Sequence, residues 1–193
     1  MPDVKTSIED AFKSVLKEKP YSKITVSEIC DRACVSRRTF YKYFQDKEAI
    51  VGELFDRHVM KPLRDVHAIL PLRDTKLMEN VFIERMYESI YAERAYYTDL
   101  VGPMRGCDDT FLRVATWAIH AFNTEHIQRI VEGRADWKID YVAYFFASSQ
   151  AMLVQKWISD GMEVSPAELA ELYNSITMPF WERVYKGRKA NLI

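Results

Sequence analysis

Residues 35–50, VSRRTFYKYFQDKEAI, combine cations and aromatic rings within one short stretch. Four cations lie between positions 37 and 47, against one acid, Asp46. They are Arg37, Arg38, Lys42 and Lys47. A guanidinium fork can donate to both acceptors on the edge of a guanine, whereas a lysine ammonium neutralises a phosphate. The stretch is therefore a candidate surface for contact with nucleic acid.

This charge is a local feature, because the whole chain has a formal net charge of −1 at pH 7. Residues 1–50 carry a net charge of +2 and the remaining residues carry −3. Such a small asymmetry argues against a basic coat protein that covers nucleic acid without selection. It leaves room for a site in which a few cations meet a few phosphates.

The composition is that of a globular protein, since 48% of the 193 residues are hydrophobic and 28% are charged. This length allows one domain or two small ones. The apolar runs are far shorter than the roughly 20 residues that a membrane span needs. The opening segment MPDVKTSIEDAFK lacks the apolar region of a signal peptide. We therefore expect a cytoplasmic protein.

Apolar residues recur at helical spacing along almost the whole chain, which predicts an all-α fold. A first helix is predicted from the stripe Ile8, Ala11, Phe12, Val15 and Leu16. Beyond Pro62, longer helices are predicted at about 75–94, 108–132, 136–160 and 165–185. A shorter helix is predicted between the first two of these, ending at about residue 101. Ser165 and Glu168 form a capping box at the start of the last helix, and Pro179 is expected to bend or stop it. A flexible connection is expected at 101–109.

Two short helices joined by a tight turn are predicted between residues 25 and 44. Thr25 is a good N-cap, and Glu28 lies three residues later, where it can bond back to the Thr25 amide. Ser36 is a second N-cap, so only about three residues separate the first helix from a second at about 37–44. Asp46 then caps a third helix. This arrangement is a helix-turn-helix.

In such a motif the second helix enters the major groove of DNA with its N-terminal residues against the bases. We expect Arg37 and Arg38 to read base edges, each good pair discriminating by roughly 1–3 kcal/mol. Other residues are expected to line the outward face or to reach phosphates. These are Thr25, Thr39, Tyr41, Lys42, Tyr43 and Lys47.

The segment ITVSEICDRACVSRRTFYKYFQDKEAIVGELF resembles the DNA-binding segment of the TetR/AcrR family of transcriptional regulators. The resemblance covers about the first 55 residues, and TFYKYF followed by DKEAI carries it most specifically. It implies a helix-turn-helix DNA-binding domain at 1–50 and a helical effector-binding and dimerisation domain at 51–193. It also implies a homodimer that binds a palindromic operator, typically as a repressor, and whose last two helices form the interface.

One position departs from the family pattern, because Cys34 stands where the turn usually has glycine. A non-glycine residue with positive φ costs on the order of 1 kcal/mol. The turn is therefore either slightly strained or differently shaped. Cys30 lies four residues away, and the pair could sense an oxidant, although no nearby histidine completes a metal site and cysteine is often a small buried hydrophobe. Cys107 makes the cysteine number odd, which fits reduced thiols.

The larger part of the chain offers two further sets of candidate residues. An effector pocket is expected to involve Tyr87, Tyr91, Trp117, His120 and Phe145, although aromatic residues at helical spacing often belong to the core. The small residues Ala143, Ala147 and Ala151 recur every fourth position and could form a dimer ridge or pack within one subunit. An apolar stripe on the last helix is expected to meet it, through Leu169, Tyr173, Ile176 and Phe180.

Catalysis is not expected, because the sequence has no glycine-rich phosphate loop, metal-spaced His/Cys group or nucleophile motif. No cofactor or metal is expected either. The expected partners are double-stranded DNA, a second copy of the chain and a small-molecule effector. Two alternatives remain open: a helical adaptor that binds an acidic protein, and a regulator that has no small-molecule effector.

Overall fold

The computed structural model describes residues 3–69, 75–102, 109–130 and 137–186, and all regular elements within these ranges are helical. The predicted all-α fold is confirmed. The helices are α1 (Val4–Leu16), α2 (Val26–Ala33), α3 (Arg37–Tyr43), α4 (Lys47–Phe55), α5 (Lys61–Ile69), α6 (Thr75–Ala92), α7 (Arg94–Val101), α8 (Thr110–Ile130), α9 (Trp137–Ser159) and α10 (Pro166–Lys186). A 3-10 turn (Tyr21–Lys23) precedes α2, and a π-helical segment (Asp56–Met60) joins α4 to α5. Cys107 and most of the connection expected at 101–109 lie outside the described residues.

The predicted caps begin α2, α3 and α4. The Thr25 hydroxyl accepts from the Glu28 amide, and the Glu28 carboxylate accepts from the Thr25 amide at 2.9 Å, so the capping box is complete. Lys19 and the Thr25 amide lower the pKa of Glu28 to about 2. Ser36 caps the Thr39 amide at 3.0 Å, and Asp46 caps the Ala49 amide at 2.8 Å. The helix-turn-helix is thus defined by local hydrogen bonds.

The turn between α2 and α3 contains a left-handed residue. Cys34 has φ 53° and ψ 41°, so the chain adopts the strained form that the sequence left open. The amide of Cys34 donates to the Asp31 carbonyl and that of Val35 donates to the Cys30 carbonyl at 3.0 Å. These bonds satisfy carbonyls at the end of α2, which offsets the cost of the left-handed conformation.

The helix-turn-helix shares a continuous core with the helices that follow it. Ile8, Phe12 and Phe40 are fully buried, as is Ile50 on α4. At the far end of α4, the Phe55 ring contacts Tyr97 of α7 and Phe111 of α8 at centroid distances of 6.4 and 6.2 Å. Packing therefore links the first four helices to the larger part of the molecule.

Two ion pairs strengthen this link. The buried Glu9 carboxylate on α1 accepts two hydrogen bonds from the Arg57 guanidinium, at 2.5 and 2.8 Å. Arg113 of α8 pairs with Glu48 in the first turn of α4, and with Asp109. Glu48 and Asp109 raise the pKa of Arg113. A movement of α8 would therefore change the contact between Arg113 and the first turn of α4.

The remaining helices form the larger helical unit, in which α8 packs along α9 and α10 packs along α6. A second small cluster of buried residues joins α8, α9 and α10 through Ile127, Phe146 and Trp181. Pro179 does not stop α10, which continues to Lys186. The continuation is anchored by packing, because the Phe180 and Trp181 rings lie 4.9 and 5.0 Å from the Phe146 ring.

No helix among the described ranges has both the length and the apolar character required to cross a membrane.

Candidate functional site

The second helix of the motif, α3, is divided between a buried and an exposed face. Phe40 is 0% exposed and Phe44 is 4% exposed, so both rings anchor the helix in the core. On the other side, Tyr41 is 51% exposed, and Arg37, Arg38 and Lys42 are exposed as well. We call these four residues the α3 face. The structure thus places the predicted base readers together on one accessible surface.

The α3 face is cationic at its N-terminal end. The Tyr41 phenol lies beside the Arg37 guanidinium and raises the pKa of Arg37. Within the described parts of the chain, Arg38 and Lys42 form no ion pair and no side-chain hydrogen bond. Their charges are therefore available to an external anion. Thr39 is half-buried and bonds to Ser36, while Tyr43 is 43% exposed at the end of the helix.

Lys47 has different surroundings from the other three cations. Its ammonium donates to the carbonyls of Tyr21 and Ile24, at 2.7 and 2.9 Å. It also lies 4.2 Å from the centroid of the Tyr21 ring, which is a cation–π distance. Lys47 therefore ties the segment before α2 to the start of α4, whether or not it also contacts a phosphate.

Thr25 is exposed at the N-terminus of α2, but its polar groups serve the capping box. Both its amide and its hydroxyl donate to the Glu28 carboxylate, each at 2.9 Å. Sequence reasoning identified the position of Thr25 correctly and did not foresee that the Glu28 carboxylate takes both donors.

The five residues expected to line a pocket do not surround one cavity. Tyr87 is fully buried in the core, and Tyr91 stacks on Trp157 at 6.0 Å. Trp117 on α8 and Phe145 on α9 are 62% and 66% exposed, whereas His120 is half-buried and bonds to Asp140 at 2.9 Å. None of the five belongs to the described lining of the next cavity, although Tyr87 interacts with Gln150, which does.

A cavity of about 50 Å³ lies between α6, α8, α9 and α10. Its apolar wall includes the rings of Phe82, Phe122, Phe146 and Trp181. Its polar wall includes His126, Gln150, Asn174 and Thr177, all at least nine-tenths buried. Sequence reasoning missed these residues. One signal was available, because Gln150 interrupts the largely apolar run AYFFASSQAMLV on α9.

Beside the cavity, two buried histidines connect α5 to α8. The His67 Nε2 and His126 Nδ1 atoms lie 2.8 Å apart, and the Arg129 guanidinium donates to the His67 carbonyl at 2.7 Å. Burial, together with His126 and Arg129, lowers the pKa of His67 to about 4. One imidazole therefore donates to the other, and His67 is neutral at pH 7. Within the described ranges, no group of three His, Cys, Asp or Glu residues could hold a metal ion.

The residues expected at a dimer interface are mostly inside the chain. Ala143, Ala147 and Ala151 are 0% exposed, so the small-residue ridge packs within one subunit and cannot contact a second copy. Leu169 and Tyr173 are also buried, and Phe180 is half-buried against Phe146. Ile176 is 69% exposed.

Large apolar side chains nevertheless remain exposed on the last two helices. On α9 they include Tyr141, Phe145 and Met152, and on α10 they include Leu172 and Ile176. We call these five residues the α9–α10 face. Each is at least half exposed in the single chain.

Comparison with known proteins agrees with this geometry. Residues 8–54 match the family described as bacterial regulatory proteins, tetR family. Residues 80–178 match the family described as transcriptional regulator C-terminal region. Together the two matches include the helix-turn-helix and most of the larger helical unit. The chain belongs to the TetR family of transcriptional regulators and carries that family's DNA-binding domain.

One curated relative is the HTH-type dhaKLM operon transcriptional activator DhaS of Lactococcus lactis subsp. lactis (strain IL1403). It is 39% identical over 49 residues, which are 25% of this chain and 26% of the activator. The match thus spans about a quarter of the activator's length. A solved structure described as the dihydroxyacetone kinase operon activator DhaS aligns with 94% of this chain and 96% of its own, at 16% identity and a TM-score of 0.53.

Two further solved structures share the fold. A TetR transcriptional regulator from Streptococcus agalactiae 2603V is 20% identical, with a TM-score of 0.60 over 90% of this chain and 92% of its own. The fatty acid degradation regulator FadR from Bacillus halodurans is 17% identical, with a TM-score of 0.61 over 89% of this chain and 96% of its own. At these identities the likeness concerns the fold alone.

Proposed function

We propose that the protein represses transcription by binding a palindromic operator as a homodimer, and that a small-molecule effector releases it. The observation that carries this proposal is the α3 face, where Arg37, Arg38 and Lys42 are exposed beside Tyr41 on a helix anchored by buried rings. Arginines at the start of such a helix can reach base edges when the helix enters a major groove.

A homodimer is supported by the α9–α10 face. Exposed apolar side chains on two adjacent helices are typical of protein–protein interfaces. A second copy that covers this face would bring two α3 faces into one assembly, and a two-fold symmetric dimer matches a two-fold symmetric operator. This proposed interface keeps Ile176 from the stripe expected on α10 and otherwise uses exposed residues of the same two helices in place of the buried ones.

Release by an effector is supported by the cavity and by the contacts that surround it. The cavity lies among α6, α8, α9 and α10, and α8 reaches the DNA-binding helices through the Arg113–Glu48 pair. A ligand shifts an equilibrium between conformations only by the difference in its affinity for them. A ligand that separates α8 from α9 or α10 would meet this condition, because the described cavity is small.

Binding of the purified full-length protein to the DNA upstream of its own gene tests the proposal. We expect protection of a palindrome with half-sites about one helical turn apart. A duplex that keeps one half-site should bind far more weakly, and a scrambled duplex should bind only at low salt. If random DNA competes equally with the palindrome, the protein is not a sequence-specific regulator. Binding to acidic proteins instead would favour the adaptor alternative.

The direction of regulation needs a second measurement. Transcription from the protected promoter in vitro should fall as protein is added. A rise in transcription would assign an activator, the role that the name of the Lactococcus lactis relative gives for that protein.

A further inference from the structure

The amide of Gln150 is an unusual feature of the cavity wall. Gln150 is 3% exposed, and its Nε2 atom has no partner at hydrogen-bond distance. The hydroxyl of Tyr87, which is 0% exposed, also has no partner at that distance. The two groups are neighbours, because burial raises the pKa of Tyr87 while a polar interaction with the Gln150 side chain opposes the rise. The Gln150 side chain therefore already interacts with the Tyr87 hydroxyl, although its Nε2 atom does not reach hydrogen-bond distance. A buried donor without a partner at hydrogen-bond distance costs about 1–3 kcal/mol, so an acceptor placed beside the Gln150 amide would be stabilising.

The unsatisfied atom of Gln150 is a donor, and this decides which ligand group it would bind. An N–H donor is satisfied by an oxygen acceptor such as a carbonyl. The described cavity lining contains no lysine, arginine, aspartate or glutamate. An amine would be buried with no acid in the described lining, and a carboxylate would meet only the imidazole of His126, whose Nδ1 already pairs with His67 at 2.8 Å, so burial of either charge is costly. The chemistry of the wall therefore favours a neutral ligand over a carboxylate or an amine.

The rest of the wall selects an apolar body. Aromatic rings line the cavity from all four helices, among them those of Phe82, Phe122, Phe146, Tyr173 and Trp181. The cavity of about 50 Å³ has room for little more than one or two waters. A ligand of six or more heavy atoms must move at least one of these rings, and it therefore binds an expanded conformation better than the described one.

We propose that the cavity between α6, α8, α9 and α10 binds a neutral molecule with a compact apolar body and a carbonyl group, whose oxygen accepts a hydrogen bond from the Gln150 amide. This inference deepens the proposed function and rests on its effector. The carbonyl supplies the partner that Gln150 lacks, and the apolar body separates the rings of α8 from those of α9 and α10.

Two sets of matched probes test the assignment on the full-length protein. One set is acetophenone, ethylbenzene and benzoate, and the other is cyclohexanone, methylcyclohexane and cyclohexanecarboxylate. Within each set the body is similar and the polar group differs. Binding is measured by the thermal unfolding midpoint and by the fluorescence of Trp181, with Trp181→Phe identifying its signal. We expect each ketone to bind at least about tenfold more tightly than its hydrocarbon and its carboxylate, since a buried donor gains its partner.

Substitution of Gln150 should remove this preference. In Gln150→Leu the ketone and the hydrocarbon should bind within about twofold of each other. Without any probe this variant should unfold at the same temperature as the wild type or higher, because an unsatisfied buried amide is gone. Gln150→Met has a flexible side chain and provides the same test if the branched leucine does not pack. Gln128→Leu, at an exposed position on α8, is the matched control and should keep the wild-type preference.

The inference is overturned if the wild type binds none of the six probes, ranks the carboxylates first or binds ketone and hydrocarbon equally. It is also overturned if the ketone preference survives in both Gln150 variants. The palindrome assay on the same preparation separates this result from the proposed function. Specific DNA binding without ketone preference removes the ligand assignment alone, whereas ketone preference without specific DNA binding removes the regulator.

Discussion

At the scale of single residues, Arg38 and Lys47 carry the same charge in different surroundings. Arg38 is exposed on the α3 face and forms no ion pair within the described ranges. Lys47 donates to the carbonyls of Tyr21 and Ile24. Because a base edge is read by a side chain that is free to reach it, Arg38 is the better candidate for base contact. Lys47 combines a structural tie with its expected phosphate contact.

Substitution of these two cations should have different consequences. Arg38→Ala should reduce the preference for the operator over random DNA by about 1–3 kcal/mol, because a bidentate base contact is lost. Lys47→Met should weaken binding to both duplexes alike and reduce the salt slope by about one unit. DNA titrations at several salt concentrations measure both effects.

The urea midpoint of unfolding provides the control for these two variants. Lys47→Met should lower the urea midpoint because two carbonyls lose their donor, whereas Arg38→Ala should leave it unchanged. Equal loss of sequence preference in the two variants would contradict the assignment of separate roles.

How far the sequence predicts a residue's role depends on where its partners are. The α3 face could be predicted, because the caps at Ser36 and Asp46 and the rings of Phe40 and Phe44 are all local in sequence. Gln150 and His126 could not be predicted to line one cavity, because they lie on different helices and the cavity forms only when four helices pack together. For the same reason, the sequence did not reveal that the aromatic residues Trp117 and Phe145 lie at the surface.

At the scale of helices, the termini were predicted to within a few residues wherever a polar cap marks them. Ser165 caps α10 through the Glu168 amide at 3.3 Å, as expected. Pro179 and the alanine ridge show the limits of local patterns. Proline removes one backbone donor, but packing of Phe180 and Trp181 on Phe146 holds the next turns in place. Ala143 and Ala147 predict close helix packing without specifying whether the neighbour belongs to the same chain.

The contact between α5 and α8 should make stability depend on pH. The pKa of His67 is lowered to about 4, below the ordinary value of 6.5 that it regains on unfolding. As pH falls below 6.5, the unfolded chain binds a proton that the folded chain excludes. His67 thus opposes folding at acid pH, by up to about 1.4 kcal/mol for each pH unit between 6.5 and 4. Above pH 6.5 this effect is absent.

Comparison with His67→Gln isolates this effect from other titrating groups. Urea unfolding at pH 7.5, 6.5, 5.5 and 5.0 should show a steeper loss of stability in the wild type than in the variant. The difference in unfolding free energy between the two proteins should stay constant from pH 7.5 to 9. Parallel curves from pH 6.5 to 5.0 would mean that His67 takes up its proton equally in both states.

At the scale of the whole molecule, the buried residues and the exposed residues of α9 and α10 have different expected roles. Ala147 is 0% exposed and belongs to the core that joins the helices of one chain. Phe145, two positions earlier, is 66% exposed on the α9–α10 face. The two positions therefore separate the folding of one chain from the proposed assembly of two chains on a palindromic operator.

A glutamate at each position should separate these roles. Phe145→Glu should leave the monomer folded, with an unfolding free energy within about 0.5 kcal/mol, because the side chain already faces solvent. In the dimer it would bury an unpaired charge, so sedimentation at micromolar concentration should change from dimer to monomer. Affinity for the palindrome should then fall to that for a single half-site. Ala147→Glu should instead unfold the chain, since the charge enters the core. A Phe145→Glu protein that remains dimeric, or a wild type that is monomeric, would exclude the α9–α10 face as the interface.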